Sequence, residues 1–445
     1  MSTLILSAFA LLIFVLSIPG TMALRSVLAV FLLLSLMLIW FKYKKDTILL
    51  IRGKRFKNIT LILLAISTYI LVHSIFLSHE SDWSLGEFKS HWLYPMLYFV
   101  IGILLALLSQ NKKYFSRETL ITILFYGLFL HILYIDLSAL EDFLKHGIIV
   151  RRYGGLSGGP AAASYLTNVL FAFITTEILY RFTRKKQVIK ISNISLAVVF
   201  ILCLLSAIIE SSRFGIMLSI LILLMAVFLF VKKSEILAIY KLGYSIFFIL
   251  LVSIPMVYSL NTDPRWGLVG DTVEITLKDD NSKRWLDKKA EPLKTLSGDV
   301  VSSGYLRMAW FITGIEYISK NPIGIGYGRN AFGHAIEINE GIGDFRGGHS
   351  HSSIIDFAIG VGIIGVVAWM FFIFKVFQYA FIEYRISGGY YSILTILVVF
   401  DFFIRSFVDS NMRDHVFQEF MVILGIILTL SECERQSRLD PDLKK

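Results

Sequence analysis

Residues 191–233 read ISNISLAVVFILCLLSAIIESSRFGIMLSILILLMAVFLFVKK. Two apolar runs, 191–209 and 214–231, are separated only by Glu210-Ser211-Ser212-Arg213. A helix rises 1.5 Å per residue, so about 20 apolar residues cover the roughly 30 Å of bilayer hydrocarbon. Within that hydrocarbon each backbone N–H and C=O must be paired inside the segment, which selects helix. The stretch therefore predicts a transmembrane hairpin with Arg213 at its tip. Arg181, Arg184, Lys185, Lys186 and Lys190 precede it and Lys232 and Lys233 follow it, so both feet are basic. Cytoplasmic connections carry the excess of Lys and Arg, which puts the feet inside and the tip outside.

The pattern repeats in both directions. Apolar runs at 3–20, 26–41, 59–78, 91–109, 119–138, 161–180, 191–209, 214–231, 244–260, 353–374, 390–408 and 415–430 predict twelve membrane helices. Lys42 to Lys57 holds seven basic residues against one acid, Asp46, and Lys112, Lys113 and Arg117 follow the fourth run. The alternate connections are acidic: Glu80 and Asp82, Glu141 and Asp142, Glu210. The expectation is a multi-pass protein with both termini cytoplasmic.

The whole composition agrees. The 445 residues are 56% apolar and 17% charged, with a mean hydropathy of +0.70, more hydrocarbon than soluble domains can bury. Alternating ten-residue segments of an outer-membrane barrel are missing. Thr3 to Gly20 lacks the basic start and small-residue cleavage site of a signal peptide and is taken as a membrane helix. Cys203 lies in an apolar run and Cys433 in the charged C-terminal segment, so neither a disulfide nor a thiolate metal set is expected. The net charge of +10 divides by side: the predicted cytoplasmic connections and tail carry 24 basic and 8 acidic residues, the remainder 19 and 25. The basicity is thus a topology signal and no nucleic-acid footprint.

The expected organisation is membrane helices 1–9 over 1–260, an outer insert over 261–352, helices 10–12 over 353–430 and a cytoplasmic tail, 431–445. An insert of this length suits a small domain or an active-site cover. Asp271 to Asp299 is charge-dense and reads as irregular, whereas Leu306, Ala309, Trp310, Thr313, Ile315 and Ile318 suit a helix on the membrane surface. Asn321-Pro322 ends that helix and Gly324-Ile325-Gly326-Tyr327-Gly328 turns the chain.

Polar residues collected at the outer face are the candidates for chemistry. Arg213, behind Ser212, and Arg307, opening the insert helix, are either interfacial anchors or a pair of guanidinium forks suited to a diphosphate. Arg151-Arg152-Tyr153-Gly154-Gly155 is a flexible outer loop with phosphate-seeking charge, without the sequence of a nucleotide-binding loop. His349-Ser350-His351-Ser352 offers a metal pair, an interfacial hydrogen-bonding site or acid–base chemistry near neutrality. Asp401, Arg405, Asp409 and Arg413 fall at four-residue spacing, as along one helical face. Asp401 and Arg405 read as an internal ion-pair ladder; Asp409, nearest the surface, is the better functional candidate.

At these residues the chain resembles the O-antigen ligase and O-antigen polymerase superfamily of cell-envelope glycosyltransferases. The family's late motif is His, then Asn, Ser or Gln, nine residues and Gly-x-x-Gly; here His351-Ser352 leads to Gly362-Ile363-Ile364-Gly365. An Arg-led helix ending in Asn-Pro before a Gly-rich turn is matched by Arg307 through Asn321-Pro322 to Gly328, and the Ser-Arg turn by Ser212-Arg213. His-x-His, with Asp409 near Arg413, is closer to the WaaL-type ligase than to the polymerase; Ser352 stands where Asn is common.

The resemblance implies an all-α, GT-C-like inner-membrane enzyme with its site at the periplasmic face. The implied donor is a glycan on undecaprenyl diphosphate and the implied acceptor a sugar hydroxyl of lipid A-core. Transfer would be inverting and metal-independent, with no cofactor: His351 as general base, Arg213 and Arg307 on the diphosphate, and His349, Asp409, Arg152, Arg413 and Ser212 in support. A polymerase would use the same donor with a second lipid-linked glycan as acceptor. A transporter or flippase would place its ionisable groups near the midplane and often shows repeated halves, features absent from this sequence.

Overall fold

The computed structural model describes residues 2–48, 51–111, 114–147, 152–233, 238–278, 283–286, 294–295, 298–299, 302–345 and 347–440. Its helices are α1 (Ser2–Leu16), α2 (Met22–Ile48), α3 (Lys54–Phe76), α4 (Ser81–Glu87), α5 (Tyr94–Leu108), α6 (Arg117–His146), α7 (Pro160–Arg184), α8 (Asn193–Glu210), α9 (Arg213–Lys233), α10 (Ala238–Thr262), α11 (Val269–Lys278), α12 (Ser302–Lys320), α13 (Ala331–Glu340), α14 (Ser353–Ser387), α15 (Tyr390–Arg405) and α16 (Asp414–Leu439). A π-helical turn, Phe88–Leu93, joins α4 to α5. The extended structure among the described residues is a hairpin of two-residue strands, Lys294–Thr295 with Gly298–Asp299. The protein is an all-helical polytopic membrane protein.

Each of the twelve apolar runs is helical, but fewer than twelve of these helices have the length and composition of a membrane span. Among the described residues nine qualify, and ten if Ile246–Thr262 and Pro264–Lys278, bent by 85° at Asp263, count as one broken span. Helix α1 has 15 residues and α15 has 16, so they reach only about 22–24 Å at the helical rise. Several helices outrun their predicted limits, α14 furthest, to Ser387. α6 continues through Glu141 and Asp142 to His146, and α16 continues to Leu439, which makes Cys433 a buried helical residue.

Helices α7 and α16 form the centre and α2 and α3 the lipid-facing flank, as their contrasting burial shows. Apolar solvent gives no hydrophobic drive between helices, so close packing must supply the attraction. α5 and α16 achieve it through Gly102 and Gly425: a Cβ at Gly102 would lie 2.4 Å from the Val422 carbonyl oxygen, and one at Gly425 2.4 Å from that of Phe99. Phe402 of α15 and Phe420 of α16 stack with centroids 3.7 Å apart.

The insert is folded onto the same end of the bundle as the start of α14. Within the stretch read as irregular, Val269–Lys278 is helical. In α12 the buried face is Ala309, Thr313 and Tyr317, while Ile315, expected on the apolar face, is 51% exposed. Tyr317, Ile325, Phe332, Ile336, Ile355 and Ile359 form a second apolar core with Trp285 and Trp310 against it.

The two glycine motifs meet here. α14 breaks at Gly362 (φ 74°, ψ −179°), a conformation that a side chain would strain, and a Cβ would lie 2.1 Å from the Ile323 carbonyl oxygen. The break frees backbone groups for the Gly-rich turn: Ile325 and Gly326 N–H donate to the carbonyls of Ile359 and Gly360 at 3.0 and 2.9 Å, and Ile363 N–H donates to Pro322 at 3.0 Å. The end of α12 is thereby hydrogen-bonded to the first turns of α14, which sets Arg307 and His351 on one rigid frame.

Candidate active site

The His349–Ser352 loop is shaped by its own side chains. Ser352 caps α14, accepting the Ile355 N–H at 3.4 Å and satisfying an otherwise orphan helix donor. Asp356 in the first turn accepts the Ser350 N–H at 3.0 Å, where a carboxylate also suits the helix dipole. His351 sits at φ +57°, which turns its side chain out of the path into α14. The connection after α15 is stitched to the same helix start: Ser353 N–H donates to Asp409 O at 3.0 Å and Ile354 N–H to Ser406 O at 3.1 Å, and Met412 N–H donates to Ser353 Oγ at 2.8 Å. Asp409, Ser410 and Arg413 are thus delivered to the histidine loop.

The two imidazoles are in contact, with centroids 4.2 Å apart. His349 Nδ1 lies 2.9 Å from Ser410 Oγ and 3.3 Å from the His351 N–H, which donates to it. His351 stacks on Trp310 at 5.3 Å and 12°, and its ring nitrogens have no hydrogen-bond partner among the described residues. Burial pushes the His351 pKa down to about 4; Arg307 and Arg413 add to the shift and Asp409 opposes it. His349 is pushed down to about 3 by burial and then by Arg413 and His351. Both rings are therefore neutral at physiological pH, and the open nitrogen of His351 can accept a proton.

Arg152, Arg265 and Arg307 act on Arg213, and Arg307 acts on His351 as well, which links this arginine cluster to the loop. Arg307 is exposed and reaches Val408 O with Nη1 at 3.4 Å. Arg213, the first residue of α9, donates from Nη1 to Arg265 O at 3.2 Å and lies over the Trp266 ring at 5.7 Å. Arg152, at φ +61°, is fixed by its N–H to Ile209 O at 2.9 Å; Arg151 lies outside the described residues. The charges of Arg265, Arg307 and Arg152 all repel that of Arg213, and Asp263 attracts it. Arg152, Ser211, Tyr258, Thr262, Asp263 and Arg265 line a cavity of about 170 Å³. Asp263 is held by Arg265 at 2.6 Å, which leaves the group strongly cationic and fit for a multivalent anion. Ser212 serves α9 itself: its Oγ accepts the Gly215 N–H at 3.2 Å.

The predicted acidic and basic ladder is not formed as expected. α15 ends at Arg405, so Asp409 and Arg413 lie on the following loop and the shared helical face stops short of them. Asp401 is buried without an ion-pair partner among the described residues, and Arg405 pairs with Asp409 instead, at 3.5 Å. Arg405 also donates to Ser164 Oγ and O at 3.3 Å. Asp409 does not pair with Arg413, which is bonded to Asp414 at 2.9 Å; Asp414 also takes Arg329 at 3.3 Å. Glu210, read as a loop acid, is buried and accepts the Thr167 hydroxyl at 2.5 Å.

Sequence reasoning missed roles for Arg265, Trp310, Ser410 and Asp356. Arg265 had a visible signal, a charge in the polar turn Asn261-Thr262-Asp263-Pro264-Arg265 that follows an apolar run; the others depend on partners distant in the chain. Glu80, His334 and Glu337 bring ligand atoms within 4.8 Å of one another and can hold a divalent ion; the group shares no residue with the His351 cluster.

Residues 198–370 match the family model described as O-Antigen ligase, a stretch that includes Arg213, Arg265, Arg307, Trp310, His349, His351 and both glycine motifs. No curated protein matches the chain.

Proposed function

We propose, from the match of residues 198–370 to the O-antigen ligase family model, that this protein is an inner-membrane O-antigen ligase acting at the periplasmic face. It takes a glycan from undecaprenyl diphosphate and joins it to a sugar hydroxyl of lipid A-core. The observation that carries the reading is the His351 imidazole, stacked on Trp310 with no ring hydrogen-bond partner among the described residues, next to Arg307, which belongs to the arginine cluster around Arg213.

In the reaction the acceptor hydroxyl attacks the anomeric carbon as the bond from that carbon to the diphosphate oxygen breaks. The hydroxyl proton passes to His351, and the electron pair of the broken bond leaves with the diphosphate. Arg213 and Arg307, with Arg152 and Arg265 behind them, stabilise the charge growing on the leaving group. Direct displacement inverts the anomeric centre. An activated leaving group makes a second catalytic carboxylate unnecessary, so Asp409 acts by steadying Arg405 and favouring the charged imidazolium. Its oxygen faces Arg405 at 3.5 Å, and its charge raises the His351 affinity for a proton.

The experiment is a deletion strain complemented with the wild-type chain. A ligase deletion leaves bare lipid A-core and polymer on its lipid carrier. Core bearing a single repeat in the deletion strain would instead assign the same site to an O-antigen polymerase.

A further inference from the structure

The structure assigns Trp310 as a positioning residue for His351: its indole face forms the wall against which the imidazole is held for proton transfer. This rests on the proposed role of His351 as base. Residues Arg307 and Trp310 are three apart on α12, the spacing that places side chains on neighbouring parts of one helical surface. One helix thus supplies both an anion-binding guanidinium and the shelf for the base.

The stack is close to parallel, 12° at 5.3 Å, and the shelf is itself braced. Trp285 meets Trp310 edge-on at 5.9 Å, and Phe332 of α13 lies 6.4 Å away. The second contact on His351 comes from His349 at 4.2 Å and 62°, anchored through Ser410. Without Trp310 the imidazole would lose its parallel stack and keep the His349 ring contact, and its ring makes no hydrogen bond among the described residues to hold it otherwise. Packing alone therefore fixes its direction.

The indole Nε1 is buried with no hydrogen-bond partner among the described residues. An unmet buried donor is unfavourable, so the indole is not present here for fold stability through that N–H. The flat aromatic face is the feature the site uses.

The charged and titratable groups around His351 are Arg307 on α12, Arg413 and Asp409 on the α15–α16 connection, and His349 on its own loop. None is altered by changing Trp310. Removing the indole admits water to the ring, relieves part of the burial and raises the imidazole pKa toward its usual range, about 6.5.

The test uses the full-length protein in detergent or nanodiscs, with Trp310→Leu, which refills part of the space without a ring, and Trp310→Phe, which keeps a face. Two readouts are taken against pH. One is kcat and KM with lipid-linked glycan; the other is diethyl pyrocarbonate modification of the His351 peptide, which needs the neutral imidazole. Trp310→Leu is expected to lower kcat about tenfold or more, within the range set by general-base catalysis, with donor KM near wild type. Its modification midpoint should rise by about one pH unit, while Trp310→Phe stays near wild type in both. An unchanged midpoint and kcat in Trp310→Leu, or a Phe variant as damaged as the Leu variant, overturns the assignment. If His351→Ala retains transfer the base assignment fails instead, and the modification profile still reports whether Trp310 governs the ring.

Discussion

The two ends of the helical bundle treat arginine differently. At the end away from the insert, Arg438 and Arg55 converge on buried Glu383 at 2.7 and 3.5 Å, Arg435 pairs with Glu432 at 2.9 Å, and Arg181 pairs with Glu177 at 2.8 Å. At the insert end Arg152, Arg265 and Arg307 all repel Arg213, and among the described residues Asp263 is the carboxylate that attracts it most. Glu383 ties α14 to α3 and α16 through Arg55 and Arg438, while Arg435 and Arg181 are neutralised within their own helices. Arginines crowded against one another raise the energy of the empty site and lower it when an anion enters, which is the electrostatic mark of a binding site.

The largest effect should come from the base. His351→Ala should lower transfer by about 10² to 10⁴-fold while the protein still inserts; strong activity in this variant removes the assignment. In the wild type, kcat/KM should be flat from neutrality down through the ordinary histidine range and fall as pH approaches about 4, because only the neutral ring accepts a proton.

Next come Arg307 and Arg213, which have no ion-pair partner among the described residues. Arg307→Lys and Arg213→Lys keep charge but lose the fork, and each should lower kcat/KM by about 10 to 100-fold, given about 1.5–3 kcal/mol for a charged hydrogen bond. Measured against inorganic diphosphate as inhibitor, affinity should fall in parallel. Equal activity in the lysine variants would reduce the cluster to simple attraction.

The paired end should answer in stability. Glu383→Gln strands Arg55 and Arg438 and should cost about 1–3 kcal/mol, seen as a lower unfolding midpoint in detergent with unchanged donor KM. A shift in KM would show that the two ends are coupled. The smallest expected change is with EDTA, which should leave the transfer rate intact; a rate restored only by added divalent ion would direct attention to Glu80, His334 and Glu337.

Much of the site was legible because each residue bore a local mark. Arg213 interrupts two apolar runs, His351 precedes another, and Arg307 opens an amphipathic helix. Asp409 was singled out by depth, but the shared helical face was not borne out: four-residue spacing suggests a continuing helix, and α15 stops at Arg405. The irregular reading of 271–299 failed at 271–278, where the amphipathic turns of α11 are hidden by their charge. Trp310 looked like one more apolar residue of an amphipathic face.

Hydropathy and the alternation of basic connections were enough to determine a polytopic helical protein, because bilayer length and backbone pairing act on each segment separately. Composition marked the Gly-rich turn at 324–328, and the resemblance to the family's late motif marked Gly362 and Gly365. What the tertiary structure decided was association: which arginines find carboxylates, which ring lies under His351, and why Gly362 must break α14 to receive Ile325 and Gly326. Those outcomes depend on contacts between segments far apart in the chain, where packing and charge are settled jointly and no local pattern records the partner.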